Sequence, residues 1–321
     1  MNAPATRRRW LLAALQVIAL LGGVIYLARI ARSYGPQLAH VHIAFDWGLL
    51  VLASLVWYAS FIQLVESWTS SLTWWGWRLR WDDGLRVFFF SNLARYIPGG
   101  IWQFAGLAAL AVEAGGSAVT ASAAVLLLQV VLLATGFVLT LGVAPNALGP
   151  WAAALGSTSR AVLAVVASVA LIAVAPRAFP FVRRQLERWL KRSVPLPIPP
   201  AWPFALYVAR TAVAWIGYGI SFWLFSRALL GPNVPDVWFS SSAYVASYLA
   251  GMIAVFAPGG IVVREAALVI AFRSSLGPER ALVLALASRL WLIALEVIGA
   301  IILLGVDRLV MGARSARGGP T

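Results

Sequence analysis

Three arginines lie in otherwise apolar sequence: Arg95 in "RYIPGGIWQFAG", Arg264 in "FAPGGIVVREAA" and Arg289 in "ASRLWLIALEVI". A guanidinium presents its N–H donors as a planar fork that matches two oxygens of a phosphate. Arg95 and Arg264, each beside a Pro-Gly-Gly, therefore read as phosphate-recognition residues. Arg289 leaves two readings open, a ligand contact or a salt bridge to a neighbouring helix. Glu265 and Glu296 are carboxylates in the same kind of sequence, and desolvation would favour their protonated forms, which makes both candidates for proton coupling. On a helix Arg264 and Glu265 point about 100° apart, whereas Arg289 and Glu296, two turns apart, share a face.

Catalysis finds little support. The chain has no Ser/His/Asp arrangement, no phosphate-binding loop and no carboxylate pair placed for hydrolysis. It has no cysteine, which excludes disulfides, thiolate metal sites and cysteine nucleophiles. His40 and His42 lack the further close ligands that a metal site needs. The expectation is a non-enzyme without metal or cofactor.

Helices in a bilayer must position these groups. With 61% hydrophobic and 11% charged residues, a mean hydropathy of +0.85 and apolar runs of about 20 residues, the chain can cover its surface only in a membrane. The net charge of +14 falls mostly between and beyond the apolar runs, as cytoplasmic-side bias requires, so nucleic acid is not the partner. "TRRRWLLAALQVIALLGGVIYLARI" begins like a signal peptide, but its long apolar run lacks a small-residue cleavage site and reads as a retained first helix. Trp74, Trp75, Trp77 and Trp81 beside Arg78 and Arg80 read as an interfacial belt, and the loop around residues 176–203 as a basic surface helix followed by a proline-rich connector.

Six runs are long enough to span: roughly 10–30, 47–68, 117–143, 159–175, 204–230 and 281–305. Two segments are not. Residues 86–112 are split at Pro98-Gly99-Gly100, and residues 237–276 at Pro258-Gly259-Gly260. If each broken segment returns to the side it came from and the N-terminus is cytoplasmic, fifteen basic residues lie inside. Six lie outside: Arg29, Arg32, Arg160, Arg227, Arg273 and Arg280. A single crossing by residues 86–112 would put the most basic loop outside, against the bias. The expected fold is thus an all-α polytopic membrane protein with six spanning helices and two re-entrant hairpins, in one domain over residues 1–321. The order helix, helix, hairpin, helix occurs over about 10–143 and again, upside down, over about 159–305. Inverted repeats interrupted at matching positions are the arrangement of secondary transporters, with the substrate site where the breaks meet.

"RYIPGGIWQ", "APGGIVVREAAL" and "ASRLWL" also resemble the bacterial lysylphosphatidylglycerol synthase transmembrane-region family, whose members include flippase-like proteins. The resemblance covers nearly the whole chain. It implies that Arg95, Tyr96, Pro98, Gly99, Trp102, Gln103, Pro258, Gly259, Gly260, Arg264, Glu265 and Arg289 belong to a head-group site, with Pro98 and Pro258 at the hairpin turns. It further implies a bacterial inner-membrane location. The soluble aminoacyl-transferase domain of the two-part synthases is missing from this sequence, so lipid aminoacylation is not expected. Gly100 stands where family members often carry Lys.

The combined expectation is a flippase or transporter for an anionic phospholipid or a lipid-linked glycan. The alternative is a non-transporting subunit that presents lipid to a separate glycosyl- or aminoacyl-transferase. Both termini and the loop 176–203 are expected to be cytoplasmic. Because the chain has no native cysteine, Ser193→Cys and Asn233→Cys report topology cleanly: an impermeant thiol reagent should label them from opposite sides of the membrane, and same-side labelling refutes the threading.

Overall fold

Aspartates start two of the main helices. Asp46 accepts a hydrogen bond from the Leu49 N–H at 3.0 Å, and Asp236 accepts from the N–H groups of Trp238 and Phe239 at 2.8 and 3.0 Å, each satisfying donors that a helix start leaves unpaired. The computed structural model describes residues 45–94, 102–143, 197–254, 260 and 262–317, with Arg32 and isolated positions between 159 and 188. Beyond residue 305 it describes the backbone only.

Eight helices are described: α1 (Trp47–Thr73), α2 (Trp81–Leu93), α3 (Trp102–Glu113), α4 (Ala118–Val143), α5 (Ala201–Leu230), α6 (Val237–Ile253), α7 (Val263–Leu276) and α8 (Pro278–Arg317). No strand occurs among the described residues. Four helices have the length and apolar composition to cross a membrane: Trp47–Thr73, Ala118–Leu141, Ala201–Leu230 and Pro278–Gly305. They match four of the six expected spans. The runs 10–30 and 159–175 lie, apart from isolated positions, outside the described residues, as do His40 and His42.

The two expected breaks separate four short helices. α2, α3, α6 and α7 have 13, 12, 17 and 14 residues, so each is roughly 18–26 Å long, short of a ~30 Å hydrocarbon core. α2 packs on α3, and α6 on α7. Both pairs return to the end they came from. Trp77, just before α2, lies where a Cβ on Gly116, just after α3, would fall. Likewise Arg280 at the start of α8 donates to the Leu230 carbonyl at the end of α5 at 2.9 Å.

These two ends are opposite ends of the molecule. α1 and α5 form the most extensive helix contact and run antiparallel. The Asp46 N–H before α1 donates to Ala228 near the end of α5 at 3.0 Å, and Trp75 after α1 donates from Nε1 to Pro197 before α5 at 3.0 Å. Other contacts come in pairs that exchange the two halves. α2 packs on α8 as α6 packs on α4. Tyr58 on α1 donates to the Leu295 carbonyl on α8 at 2.6 Å, as Trp215 on α5 donates to the Leu132 carbonyl on α4 at 3.0 Å.

One sequence reading needs correction. Of the tryptophans assigned to an interfacial belt, Trp75 is buried and Trp77 fills the space over Gly116. They join turns to one another because the turn after α1 folds back onto both the α3–α4 turn and the start of α5. The last helix continues past its apolar run to Arg317. A charged pair that the sequence did not single out, Arg210 and Glu66 at 3.5 Å, links α5 to α1.

The second break is built on glycine. Gly260 has φ +68°, and a Cβ there would lie 2.8 Å from Gly251 Cα near the end of α6. The chain thus folds back so closely that Gly260 has no room for a side chain and Gly251 only a tight fit. Val262, with φ +71°, is the one non-glycine among the described residues with positive φ; its sharp turn starts α7. At the far end Gly277, φ +79°, ends α7 and Pro278 opens α8, the order that helix-end geometry favours. Gly260→Val should therefore combine a backbone clash with left-handed strain and lower stability by about 1–3 kcal/mol. Thermal unfolding of the detergent-solubilised protein measures this; an unchanged midpoint would refute the close approach.

Candidate functional site

One cavity is lined by residues of all eight helices. α1 contributes Trp57, Phe61 and Leu64, and α5 contributes Trp215 and Tyr218. The first helix pair supplies Phe88, Ser91, Asn92, Gln103 and Leu107, the second Tyr244, Tyr248 and Arg264. α4 adds Gln129 among apolar neighbours, and α8 adds Leu292 and Glu296. The flanks of both breaks therefore face one space, apolar in most of its wall with a few polar groups, as ligand pockets are.

Arg264 is the cation described on this wall, and it is 6% exposed. It is the second residue of α7, so the turn through Gly260 and Val262 sets its position. Its guanidinium carbon lies 4.9 Å from the ring centroids of both Tyr244 and Tyr248, which are one helical turn apart on α6. This is cation–π range. Nη2 is nonetheless buried and has no hydrogen-bond partner among the described residues. An unmet charged donor in a low-dielectric site is costly, and an anion with two oxygens is the complement to a guanidinium edge.

Glu265 points away, as its helical offset requires. Its carboxylate lies 3.6 Å from Arg289 Nε, with side-chain exposures of 13% and 3%. Neither residue is on the cavity wall; together they fasten α7 to α8. Glu296, two turns further along α8, is buried and does line the cavity. Across the first break Gln103 Nε2 donates to Asn92 Oδ1 at 3.1 Å, joining the start of α3 to the end of α2 at the cavity wall.

Of the residues singled out in the sequence, the structure thus brings Gln103, Arg264 and Glu296 to one cavity, and pairs Glu265 with Arg289 beside it. Gly260 supports the turn. Arg95, Tyr96, Pro98, Gly99, Pro258 and Gly259 lie outside the described residues, as does Gly100, and for Trp102 only the backbone is described. Sequence reasoning missed Asn92, Gln129, Tyr244, Tyr248 and Gly251. The signals were faint: a glutamine in the middle of the apolar run 117–143, two tyrosines at helical spacing before a break, and a glycine closer to that break.

No curated protein and no solved structure matches the chain. A sequence profile described as the lysylphosphatidylglycerol synthase TM region matches residues 11–299, which include every described residue that lines the cavity. The chain belongs to the lysylphosphatidylglycerol synthase transmembrane-region family.

Proposed function

We propose that this membrane protein is a flippase-like transporter that moves an anionic phospholipid or a lipid-linked glycan across the bacterial inner membrane. The observation that carries the reading is Arg264, buried on the wall of a cavity shared by both broken helix pairs, with Nη2 unmet. The family's name suggests a lipid-related context, and the cavity wall is mostly apolar with a few polar groups, as ligand sites are.

In this reading the two helix pairs are re-entrant hairpins of an inverted repeat, with six spanning helices in all, both termini cytoplasmic and the basic loop 176–203 on the same side. The antiparallel α1 and α5, the return of each pair to its own end and the exchange-related contacts support it. Backbone groups freed at a break are tolerated at membrane depth only where protein or a wet cavity surrounds them, which fits breaks placed at a shared site. Arg264 binds the lipid phosphate. Glu296 is the carboxylate placed to exchange protons with the site, while Glu265 and Arg289 hold α7 against α8. No chemical step on the lipid is assigned to the chain.

Liposomes that contain the purified protein and a fluorescent phosphatidylglycerol test the activity: probe should become accessible to an external quencher faster than in protein-free liposomes. Binding without such movement would favour a subunit that presents lipid to a transferase. Losing a charge-assisted contact should weaken lipid binding by Arg264→Ala about ten- to a hundredfold, and Arg264→Lys should lose part of that because the planar fork is gone. An unstable Arg264→Ala variant whose response to lipid is unaltered would remove the arginine from the site.

Arg289→Ala should behave differently. It leaves Glu265 uncompensated in the interior, at a cost of about 3–5 kcal/mol, so its thermal midpoint should fall with or without added lipid. A stable variant with weakened lipid binding would instead assign Arg289 to the ligand.

A further inference from the structure

We propose that Tyr244 and Tyr248 are positioning residues that hold Arg264 by its flat faces, so that the guanidinium edge meets the two non-bridging oxygens of a phosphodiester. The proposal rests on the phosphate-binding reading of Arg264. It adds the part of the site that sets the orientation, and so the geometry, of the group recognised.

A guanidinium offers faces that stack and an edge that donates. Here the guanidinium carbon lies 4.9 Å from each tyrosine centroid, within cation–π range. The rings are themselves fixed from the other half of the molecule and from α5. Tyr248 meets Trp215 edge-on, with centroids 5.2 Å apart, and the Trp215 indole N–H is anchored to the Leu132 carbonyl of α4 at 3.0 Å. Tyr244 packs on Phe222 at 4.9 Å. Gly251 lets the turn that carries the arginine fold back close to α6, since a Cβ there would lie 3.3 Å from the Gly260 Cα. A side chain with many rotamers is thereby set in one orientation before ligand arrives, with Nη2 buried and unmet on the cavity wall. The ordering cost that binding would otherwise carry is removed in advance.

Ring electron density separates this role from mere packing. The full-length protein in detergent is titrated with dioleoylphosphatidylglycerol, and binding is read by native mass spectrometry, for wild type, Tyr248→Phe, Tyr248→Leu and a variant with 3,5-difluorophenylalanine in place of Tyr248. Tyr248→Phe keeps the π face and should bind within about twofold of wild type. Tyr248→Leu should lose about three- to tenfold, the cost of ordering one long side chain. The difluoro variant keeps the ring shape with a weaker π face and should fall between them, and it remains informative if Tyr248→Leu does not fold. Wild-type affinity in the difluoro variant overturns the proposal, whatever Tyr248→Leu does, because packing alone would then explain the rings. Arg264→Ala in the same titration keeps the two ideas apart. If it weakens binding while the Tyr248 series is flat, only the positioning role fails; if it binds like wild type, the phosphate reading itself fails.

Discussion

The antiparallel seam between α1 and α5 is the constraint from which the rest of the arrangement follows. It is closed at one end by the Asp46 N–H on Ala228 and at the other by Trp75 on Pro197. Between them Ser221 donates to the Ala53 carbonyl at 2.7 Å, and Gly217 faces Ser60 with no room for a Cβ. Small residues bring the backbones close, which is how helices gain packing energy where lipid offers no hydrophobic drive. Because the two helices run in opposite directions, the short helix pairs that follow them start at opposite ends and meet over the seam. One cavity between them is the geometric result.

Placing a guanidinium there is expensive, about 2.5–3.5 kcal/mol on insertion scales for a central arginine. Two cation–π contacts at about 0.5–2 kcal/mol each offset much of that cost. They do so without consuming the donors along the edge. An ion pair on the same arginine would have stabilised the fold as well or better, but would have left less for a ligand. The neighbouring pair of Glu265 and Arg289 shows the other solution, one residue along the same helix.

Much of this was legible from sequence because it rests on period and punctuation. Long apolar runs gave four of the helices, and the Pro-Gly-Gly segments marked where the short ones separate. The angular offset of adjacent helical residues foretold that Arg264 and Glu265 face different neighbours. What escaped notice depends on how the chain turns back. Asn92 acquires its partner only when Gln103 is folded across the break, and Gly251 matters only because Gly260 lands on it. Tyr244 and Tyr248 look like ordinary core aromatics until Arg264 is placed over them. Trp75 and Trp77 misled for the converse reason: tryptophan beside arginine is the composition of an interface, yet contacts between turns claimed these two side chains.

The fastening of α7 to α8 through Glu265 and Arg289 makes a lever of the two. Arg264 rides on that lever, while the rings it rests on belong to α6, which is braced against α4 and α5. The arginine therefore bridges a part fastened to α8 and a part braced on α4 and α5, so its placement depends on both halves of the bundle at once.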